Sequence, residues 1–222
     1  MLHAQKIAML FNWFQLSQGR ILAVTSLFGM LTALSSAAQA PFVDVSNEVD
    51  IWTDHTGGYL GVGLSMADFN GDGLDDLSIA HHEGELQFYL GNGVGFTPYN
   101  LDLPNYPHEA KCILWADIDN DWDQDLFITY RLAANKLYIN QGDLLMTDVS
   151  AECGIDQSIR RSYGACFGDY DNDGLLDLFI ANYVSGQDPP FNEFYRNLGE
   201  GNFEEVTFDF PMGEPLLQNF QL

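Results

Sequence analysis

The chain is poor in positive charge. It has 8 Lys and Arg against 32 Asp and Glu in 222 residues, which gives a formal net charge of −24. Lys6 and Arg20 lie in the first forty residues, which contain no acid, so only six bases accompany all the acids in the remainder. Because nucleic-acid binding relies on Lys and Arg to neutralise phosphates, nucleic acid is a poor partner. Cations are good ones.

Cysteine is also scarce. Cys112, Cys153 and Cys166 allow at most one internal disulfide. None has a CxxC or Cys–His spacing, so the sequence does not indicate zinc. Cys112 and Cys166 precede acidic segments in strand-like sequence, where we expect small buried hydrophobic side chains. Beyond residue 40 the sequence also lacks a convincing amphipathic helix, although its 46% hydrophobic content is typical of a globular protein.

The first forty residues predict an export signal. The apolar run ILAVTSLFGMLTAL from Ile21 follows two basic residues and precedes the small residues SSAAQA, with cleavage after Ala38 or Ala40. The alternative is an uncleaved membrane anchor, since a spanning helix needs about 20 apolar residues. We therefore expect a secreted protein, extracellular or periplasmic, with a membrane attachment only if the segment is not cleaved.

Three acidic segments repeat along the chain. They read ADFNGDGLDDLSIA from Ala67, ADIDNDWDQDLFIT from Ala116 and GDYDNDGLLDLFIA from Gly168. Their first aspartates are about 50 residues apart, a period in the range of propeller blades. Each segment continues into an apolar strand, a second strand containing a tyrosine (Tyr89, Tyr138 or Tyr195) and a third strand after a glycine-bearing turn. This pattern predicts an all-β fold of propeller-type blades built from short antiparallel strands.

The repeats also predict the organisation of the chain. We expect a signal peptide over residues 1–40, repeats over 41–210 with units around 60–110, 111–160 and 161–210, and a tail over 211–222 that fits no repeat. Propellers close with about four to eight blades. About three units therefore predict an incomplete or open propeller, or assembly with another chain.

The alternating acids predict metal binding. Two carboxylates about 5 Å apart repel by roughly 3 kcal/mol at an effective dielectric constant of 20, and Lys111 is the one base near any acidic loop in sequence. A divalent ion that prefers oxygen ligands can neutralise such a loop, and Ca²⁺ accepts six to eight oxygens in flexible geometry. We therefore predict about three Ca²⁺ sites.

The predicted ligands are the side chains at loop positions 1, 3, 5 and 9, together with the residue at position 7, whose carbonyl contributes. They are Asp68, Asn70, Asp72, Leu74 and Asp76 in loop 1; Asp117, Asp119, Asp121, Asp123 and Asp125 in loop 2; and Asp169, Asp171, Asp173, Leu175 and Asp177 in loop 3. An EF-hand is excluded because position 12, which should be Glu, is isoleucine in all three loops. Position 6 calls for positive φ, which suits Gly73 and Gly174 but costs Trp122 about 1 kcal/mol.

The motif D-x-[DN]-x-D-G-x-x-D-L, preceded by GVGLSMAD or SYGACFGD, resembles the FG-GAP or VCBS repeats of integrin alpha-chain propellers and of many secreted bacterial proteins. The phrases DVSAECGI and FYRNLGEGNFEEVT are similar to repeats of the cartilage acidic protein and UnbV type. The resemblance covers about residues 42–209 and implies a calcium-binding β-propeller with each ion in a loop between two strands of one blade. Trp122 and the number of units depart from the family pattern, which usually has about seven blades.

The sequence favours a non-catalytic protein that presents loops to an extracellular protein or glycan, as in cell adhesion. The alternative is a carbohydrate-binding module, or an accessory part of an extracellular hydrolase. Candidate sugar-stacking aromatics are Trp52, Trp115, Tyr99, Tyr106 and Tyr183. Candidate acid–base residues are His81, His82 and His108. We expect His81 and His82 to be merely solvated, since surface loops usually carry such side chains.

Overall fold

The structure, a computed structural model, describes residues 44, 51, 61–82, 86–183 and 192–209. The chain divides into two compact units, Met1–Asp44 and Val45–Leu222, and every strand described below belongs to the second. The predicted signal peptide and the predicted tail lie outside the described residues. In the part of the chain that the structure describes, no helix is long and apolar enough to cross a membrane.

The strands form three antiparallel blades of four strands each. Blade 1 contains β1 (Leu64–Ala67), β2 (Asp76–Ile79), β3 (Gln87–Gly91) and β4 (Phe96–Tyr99), paired in chain order. Blade 2 contains β5 (Glu109–Ala116), β6 (Asp125–Ala133), β7 (Lys136–Asn140) and β8 (Met146–Asp148). Blade 3 contains β9 (Arg160–Gly168), β10 (Asp177–Asn182), β11 (Glu193–Gly199) and β12 (Asn202–Glu205). The predicted all-β, propeller-type fold is confirmed for the described residues.

Blades 2 and 3 belong to one continuous sheet. The far end of β6 pairs with the start of β9, with Arg131 opposite Arg161 and Ala133 opposite Arg160. The long β6 therefore pairs with β5 of its own blade and also with β9 of blade 3.

The sequence predicts three strands after each acidic loop and strand-like sequence before loops 2 and 3, and the structure has a strand before all three loops. These strands, β1, β5 and β9, each stand first in the pairing order of their blade, and we call them the innermost strands. Burial does not alternate cleanly in β9, where half-buried residues follow one another along the strand, but exposed and half-buried residues alternate in β1. A period of two is the main strand signal in a sequence, and β9 lacks it.

Aromatic side chains fill the interface between blades 1 and 2. Phe69 of blade 1 stacks on Trp115 of β5 with ring centroids 4.6 Å apart. The indole Nε1 of Trp115 donates a hydrogen bond to Ser78 Oγ at 2.9 Å. Ile113 and Tyr138 of blade 2 belong to the same buried cluster. Burial of these large side chains fixes the orientation of the two blades.

The interface between blades 2 and 3 is more aliphatic. Blade 2 contributes Ile118, Phe127 and Leu137, and blade 3 contributes Leu178 and Ile180, all of them nearly inaccessible to solvent. Because blades 2 and 3 pack face to face, the loops that connect their first and second strands lie side by side.

The three cysteines are free thiols with different environments. Cys153 is buried and Cys112 is half-buried, but Cys166 on β9 is exposed. The expectation of a buried side chain is therefore wrong for Cys166. Cys166 lies opposite Phe179 of β10, which is also exposed.

Candidate metal centres

Each acidic loop connects the innermost strand of a blade to its second strand: β1 to β2, β5 to β6 and β9 to β10. Neighbouring loops lie next to one another. The amide Nδ2 of Asn120 in loop 2 donates to the carbonyl of Gly174 in loop 3 at 3.0 Å. Loops 1 and 2 border a cavity of about 250 Å³ that Asp68, Asn70 and Trp122 help to line.

The position 1 aspartates hold the loops in a tight turn. The two carboxylate oxygens of Asp68 accept the backbone N–H groups of positions 5 and 6, at 3.0 and 2.8 Å. Asp117 and Asp169 repeat both contacts at 3.0–3.1 Å. These N–H groups stabilise a carboxylate and offset part of the repulsion between the acids. The pattern of acids in the sequence does not reveal this backbone contribution.

The position 5 aspartates follow the same rule. Asp72, Asp121 and Asp173 each accept the N–H of the position 7 residue, at 2.8–2.9 Å. The three loops thus share one backbone structure despite their different sequences. The role of the position 7 carbonyls of Leu74, Asp123 and Leu175 as ligands stays a prediction.

Two positions of each loop have positive φ. Position 6 has φ +89° in Gly73, +90° in Gly174 and +78° in Trp122, whose side chain is 92% exposed. The predicted backbone conformation of Trp122 is therefore confirmed. Position 4 also has positive φ, in Gly71, Asn120 and Asn172. The sequence reasoning missed position 4, although glycine and asparagine are the residues that adopt this conformation most readily.

The position 9 aspartates are buried and act as staples between strands. One carboxylate oxygen of each aspartate accepts the N–H of position 2. The other oxygen accepts an N–H near the end of the third strand of the same blade. For Asp125 the donors are Ile118 at 3.0 Å and Asn140 at 2.9 Å. Asp76 and Asp177 make the equivalent contacts. Their burial shows a structural role that the sequence did not reveal.

Burial also changes the acidity of these groups. It raises the pKa of Asp125 to about 7, although the N–H groups of Ile118 and Asn140 oppose the rise. Burial raises the pKa of Asp76 as well. A nearby cation would favour the charged form of both carboxylates.

Three carboxylates converge in loops 2 and 3. In loop 2 an oxygen from each of Asp117, Asp119 and Asp125 lies within 4.8 Å of the other two, and loop 3 repeats this with Asp169, Asp171 and Asp177. These are positions 1, 3 and 9; position 5 does not belong to either group. Among the described residues, loop 1 has no such three-acid group, since Asn70 occupies position 3. The Asn70 Nδ2 donates to Asp72 Oδ2 at 3.1 Å instead.

One buried carboxylate oxygen of loop 2 has no hydrogen-bond donor. Asp119 Oδ1 is buried and accepts no hydrogen bond. Burial, followed by the charges of Asp121 and Asp117, raises the pKa of Asp119. Three converging oxygens, one of them unsatisfied, are suited to a metal that prefers hard oxygen ligands.

The family model of the FG-GAP-like repeat matches residues 68–128 and 117–180. Each match runs from the first aspartate of one acidic loop to the position 12 isoleucine of the next. The chain belongs to the FG-GAP-like repeat family. Both matches overlap across loop 2, so the FG-GAP repeat is centred on the loops and the strands that carry them.

Proteins named cartilage acidic protein 1 are similar to this FG-GAP chain. The human protein is 28% identical over 173 residues, covering 72% of this chain and 25% of its own length. The mouse protein is 29% identical over 173 residues, with 72% and 26% coverage. The Xenopus tropicalis protein is 29% identical over 162 residues, with 67% and 24% coverage. The chain spans about a quarter of the length of these relatives.

Two bases of the FG-GAP repeats, Lys111 and Lys136, form ion pairs away from the loops. Lys111, the base nearest to a loop in sequence, places Nζ 2.6 Å from Glu109 Oε1 and 2.6 Å from the carbonyl oxygen of Gly61. Lys136 pairs with Asp148 at 2.8 Å. The acids of both pairs lie outside the loops, so neither base neutralises the predicted ligands.

Most of the aromatic and histidine side chains considered for sugar binding or acid–base catalysis pack against neighbouring side chains. Trp115, Tyr99 and Tyr106 pack in or against the cluster between blades 1 and 2. Tyr183 is exposed beside Tyr163, and Trp52 lies outside the described residues. The rings of His81 and His82 face each other at 4.7 Å, and His108 lies against Tyr106 at 4.5 Å.

Proposed function

We propose that this FG-GAP repeat chain is an exported, non-catalytic calcium-binding protein whose ions stabilise the acidic loops. The observation that carries the proposal is the convergence of three carboxylates in each of loops 2 and 3. These groups offer oxygen alone, without imidazole or thiolate, which favours Ca²⁺ over zinc or copper.

Calcium also accounts for the unsatisfied oxygen of loop 2. A bound ion gives Asp119 Oδ1 a partner and offsets the repulsion among Asp117, Asp119 and Asp125. In loop 1, Asn70 can supply an oxygen at position 3 after rotation of its amide. We therefore propose three sites with the ligands predicted from the sequence, loop 1 having one negative charge fewer at positions 1, 3 and 9.

Melting temperatures in calcium and in EDTA test this proposal. Calcium should raise the melting temperature, and Asp72→Ala and Asp173→Ala should each remove part of the increase. At a free calcium concentration about 100 times Kd, one site stabilises the fold by about 2.7 kcal/mol. Glu152→Ala is the matched control, because Glu152 is an exposed acid outside the loops and its loss should leave the calcium response unchanged. Equal melting curves in calcium and EDTA would remove the metal from the proposal.

Sequencing the N-terminus of the secreted protein tests the proposed export. We expect the mature chain to begin at Gln39 or Pro41. A chain that retains its apolar segment in the membrane fraction would show the anchor instead of the cleaved signal.

We further propose that the loops are presented to an extracellular protein. The packing of Trp115, Tyr99 and Tyr106 against the cluster between blades 1 and 2 leaves few of the candidate aromatics for stacking on sugars. A glycan array probed with the calcium-loaded protein tests this choice, and saturable binding to one sugar class would favour the carbohydrate-binding alternative.

A further inference from the structure

The junction between loops 1 and 2 differs from the junction between loops 2 and 3. Two side chains close the second junction: Asn120 donates to the carbonyl of Gly174 at 3.0 Å, and Asn197 donates to the carbonyl of Ile118 at 2.8 Å. The first junction borders the cavity of about 250 Å³ described above, which we call the loop 1–2 cavity. An opening therefore lies where the neighbouring junction is closed by hydrogen bonds.

One cause of the opening is the residue at position 4. Gly71 stands in loop 1 where loop 2 has Asn120. Glycine adopts the positive φ of this position without strain, but it has no amide side chain that could bridge to the next loop. Gly71 instead lines the loop 1–2 cavity.

The second cause is the side chain of Asn140. Asn140 and Asn197 are equivalent, because each follows the tyrosine of its blade's third strand by two residues. Asn197 Nδ2 donates both to Ile118 at 2.8 Å and to Leu176 at 3.0 Å. Asn140 Nδ2 donates to the carbonyl of Gln124 at 3.4 Å, and the described residues supply no acceptor for its second hydrogen. Since Asn140 is 2% exposed and lines the cavity, this buried donor is suited to an oxygen atom of a ligand.

The wall of the loop 1–2 cavity is anionic. Asp68, Asp123 and Asp143 line it, and none of the described lining residues is a base. Asp68 is a predicted calcium ligand, but Asp123 is predicted to contribute its carbonyl, and Asp143 lies in the turn between β7 and β8. The carboxylate of Asp123 reaches that turn, because its Oδ2 lies 3.8 Å from the place a Cβ would occupy at Gly142. Asp123 and Asp143 therefore retain two negative charges for a ligand when the predicted calcium sites are filled.

An exposed indole lies beside these carboxylates. Trp122 is 92% exposed and lines the same cavity. Its φ of +78° strains the backbone at a position where loops 1 and 3 have glycine, and burial of the side chain does not offset this strain. Strained backbone positions cluster at binding sites. A tryptophan ring also attracts cations more strongly than the other aromatic rings do.

We propose that the loop 1–2 cavity binds a basic side chain, lysine or arginine, of an extracellular protein. The cation lies against the indole of Trp122 and pairs with Asp123 and Asp143. The peptide carbonyl of the same basic residue accepts a hydrogen bond from Asn140 Nδ2. The proposal rests on the proposed presentation of the loops to an extracellular protein and adds the chemistry of that partner. A neutral sugar could also stack on the indole, but two carboxylates beside one ring are electrostatically suited to a cation.

Binding of short peptides to the purified full chain in calcium tests the proposal. The probes are acetyl-Gly-Arg-Gly-amide, acetyl-Gly-Lys-Gly-amide and, as the neutral control, acetyl-Gly-citrulline-Gly-amide. The signal is the NMR resonance of the Gly71 amide, which lines the cavity. We expect saturable shifts with both basic peptides and none with the citrulline peptide. Higher salt should weaken the binding of both basic peptides, because it screens the attraction.

Single substitutions in the wall test each contact. Asp123→Asn and Asp143→Asn should each weaken the basic peptides by about fivefold, since each removes one charge beside the cation. Trp122→Gly should weaken them by about two- to fivefold through loss of the cation–π contact, and glycine suits the positive φ of this position. Asp102→Asn is the matched control, because Asp102 is also an exposed aspartate with positive φ but lines a different cavity. It should leave both affinities unchanged.

Three results would overturn the proposal: no saturable shift with either basic peptide, equal shifts with the arginine and citrulline peptides, or unchanged affinity in a folded Asp123→Asn/Asp143→Asn variant. A neutral sugar that shifts Gly71 when the basic peptides do not would assign the cavity to a glycan instead. Melting curves of the same samples in calcium and in EDTA show that each variant is folded and keep the two proposals apart. A calcium response without peptide binding removes only the cavity ligand, and peptide binding without a calcium response removes only the metal.

Discussion

Replacing Asp119 by asparagine should stabilise the metal-free protein and weaken its response to calcium. The carboxylate of Asp119 lies within 4.8 Å of those of Asp117 and Asp125, and its Oδ1 is buried without a partner. At that distance two charges repel by about 3 kcal/mol at an effective dielectric constant of 20 and by about 1 kcal/mol in water.

Loop 2 is only partly buried, so we expect Asp119→Asn to raise the free energy of unfolding in EDTA by about 1–2 kcal/mol. For a chain of this size, that gain corresponds to a rise in melting temperature of about 2–8 °C. In saturating calcium the variant should melt below wild type, because the proposed site would have one anionic ligand fewer.

The chain contains its own matched control. Position 3 of loop 1 is already asparagine, and Asn70 donates a hydrogen bond to Asp72 that Asp119 cannot make. Asn70→Asp should therefore lower the melting temperature in EDTA and raise the calcium response. If Asp119→Asn lowers the melting temperature in EDTA, or if both variants shift it equally in EDTA and in calcium, the electrostatic account of these loops is wrong.

Other predictions concern the backbone, the staples and one ion pair. Trp122→Gly should stabilise the fold by about 1 kcal/mol in calcium and in EDTA alike, because residue 122 has positive φ. Gly73→Ala should destabilise the fold by a similar amount, because Gly73 also has positive φ, although a Cβ there meets no neighbour. Thermal unfolding measures both changes. Asp177→Asn should cost about 1–3 kcal/mol even in EDTA, because a buried N–H group loses its acceptor; a cost seen in calcium alone would contradict the staple. Although burial alone would raise it, the pKa of Asp148 is lowered by hydrogen bonds from Lys136 and Ser150. The pair therefore stabilises the fold above the unfolded-state pKa of about 4, and this contribution is lost as the pH falls through the lower folded-state pKa. Lys136→Met should flatten the acid side of the stability profile, as measured by urea unfolding at several pH values.

The repeated loops made the fold class predictable from sequence. Period, turn residues and the strands after each loop gave antiparallel blades, and isoleucine at position 12 excluded the EF-hand. All three isoleucines are buried in β2, β6 and β10. These signals are local, so one sequence contains them completely.

Features that depend on contacts between distant residues escaped the sequence. The staple formed by Asp125 requires Asn140, a partner fifteen residues away, and nothing in the pattern of acids distinguishes it from a ligand. The strand β9 lacks the alternation that marks a strand in a sequence, because half-buried residues follow one another along it. The exposure of Cys166 depends on which side of blade 3 is covered, which is a property of the packing.

The hydrogen bond from Asn120 to Gly174 has a further consequence. It joins the turn of loop 2 to the turn of loop 3. Asn197 Nδ2 of blade 3 also donates to the carbonyl of Ile118 in loop 2 at 2.8 Å, so two hydrogen bonds connect these neighbouring repeats. Whatever orders the first turn lowers the entropy that remains to be lost in the second. Occupancy of one centre should thus raise the affinity of its neighbour, and titration of the pair should be steeper than that of two independent centres.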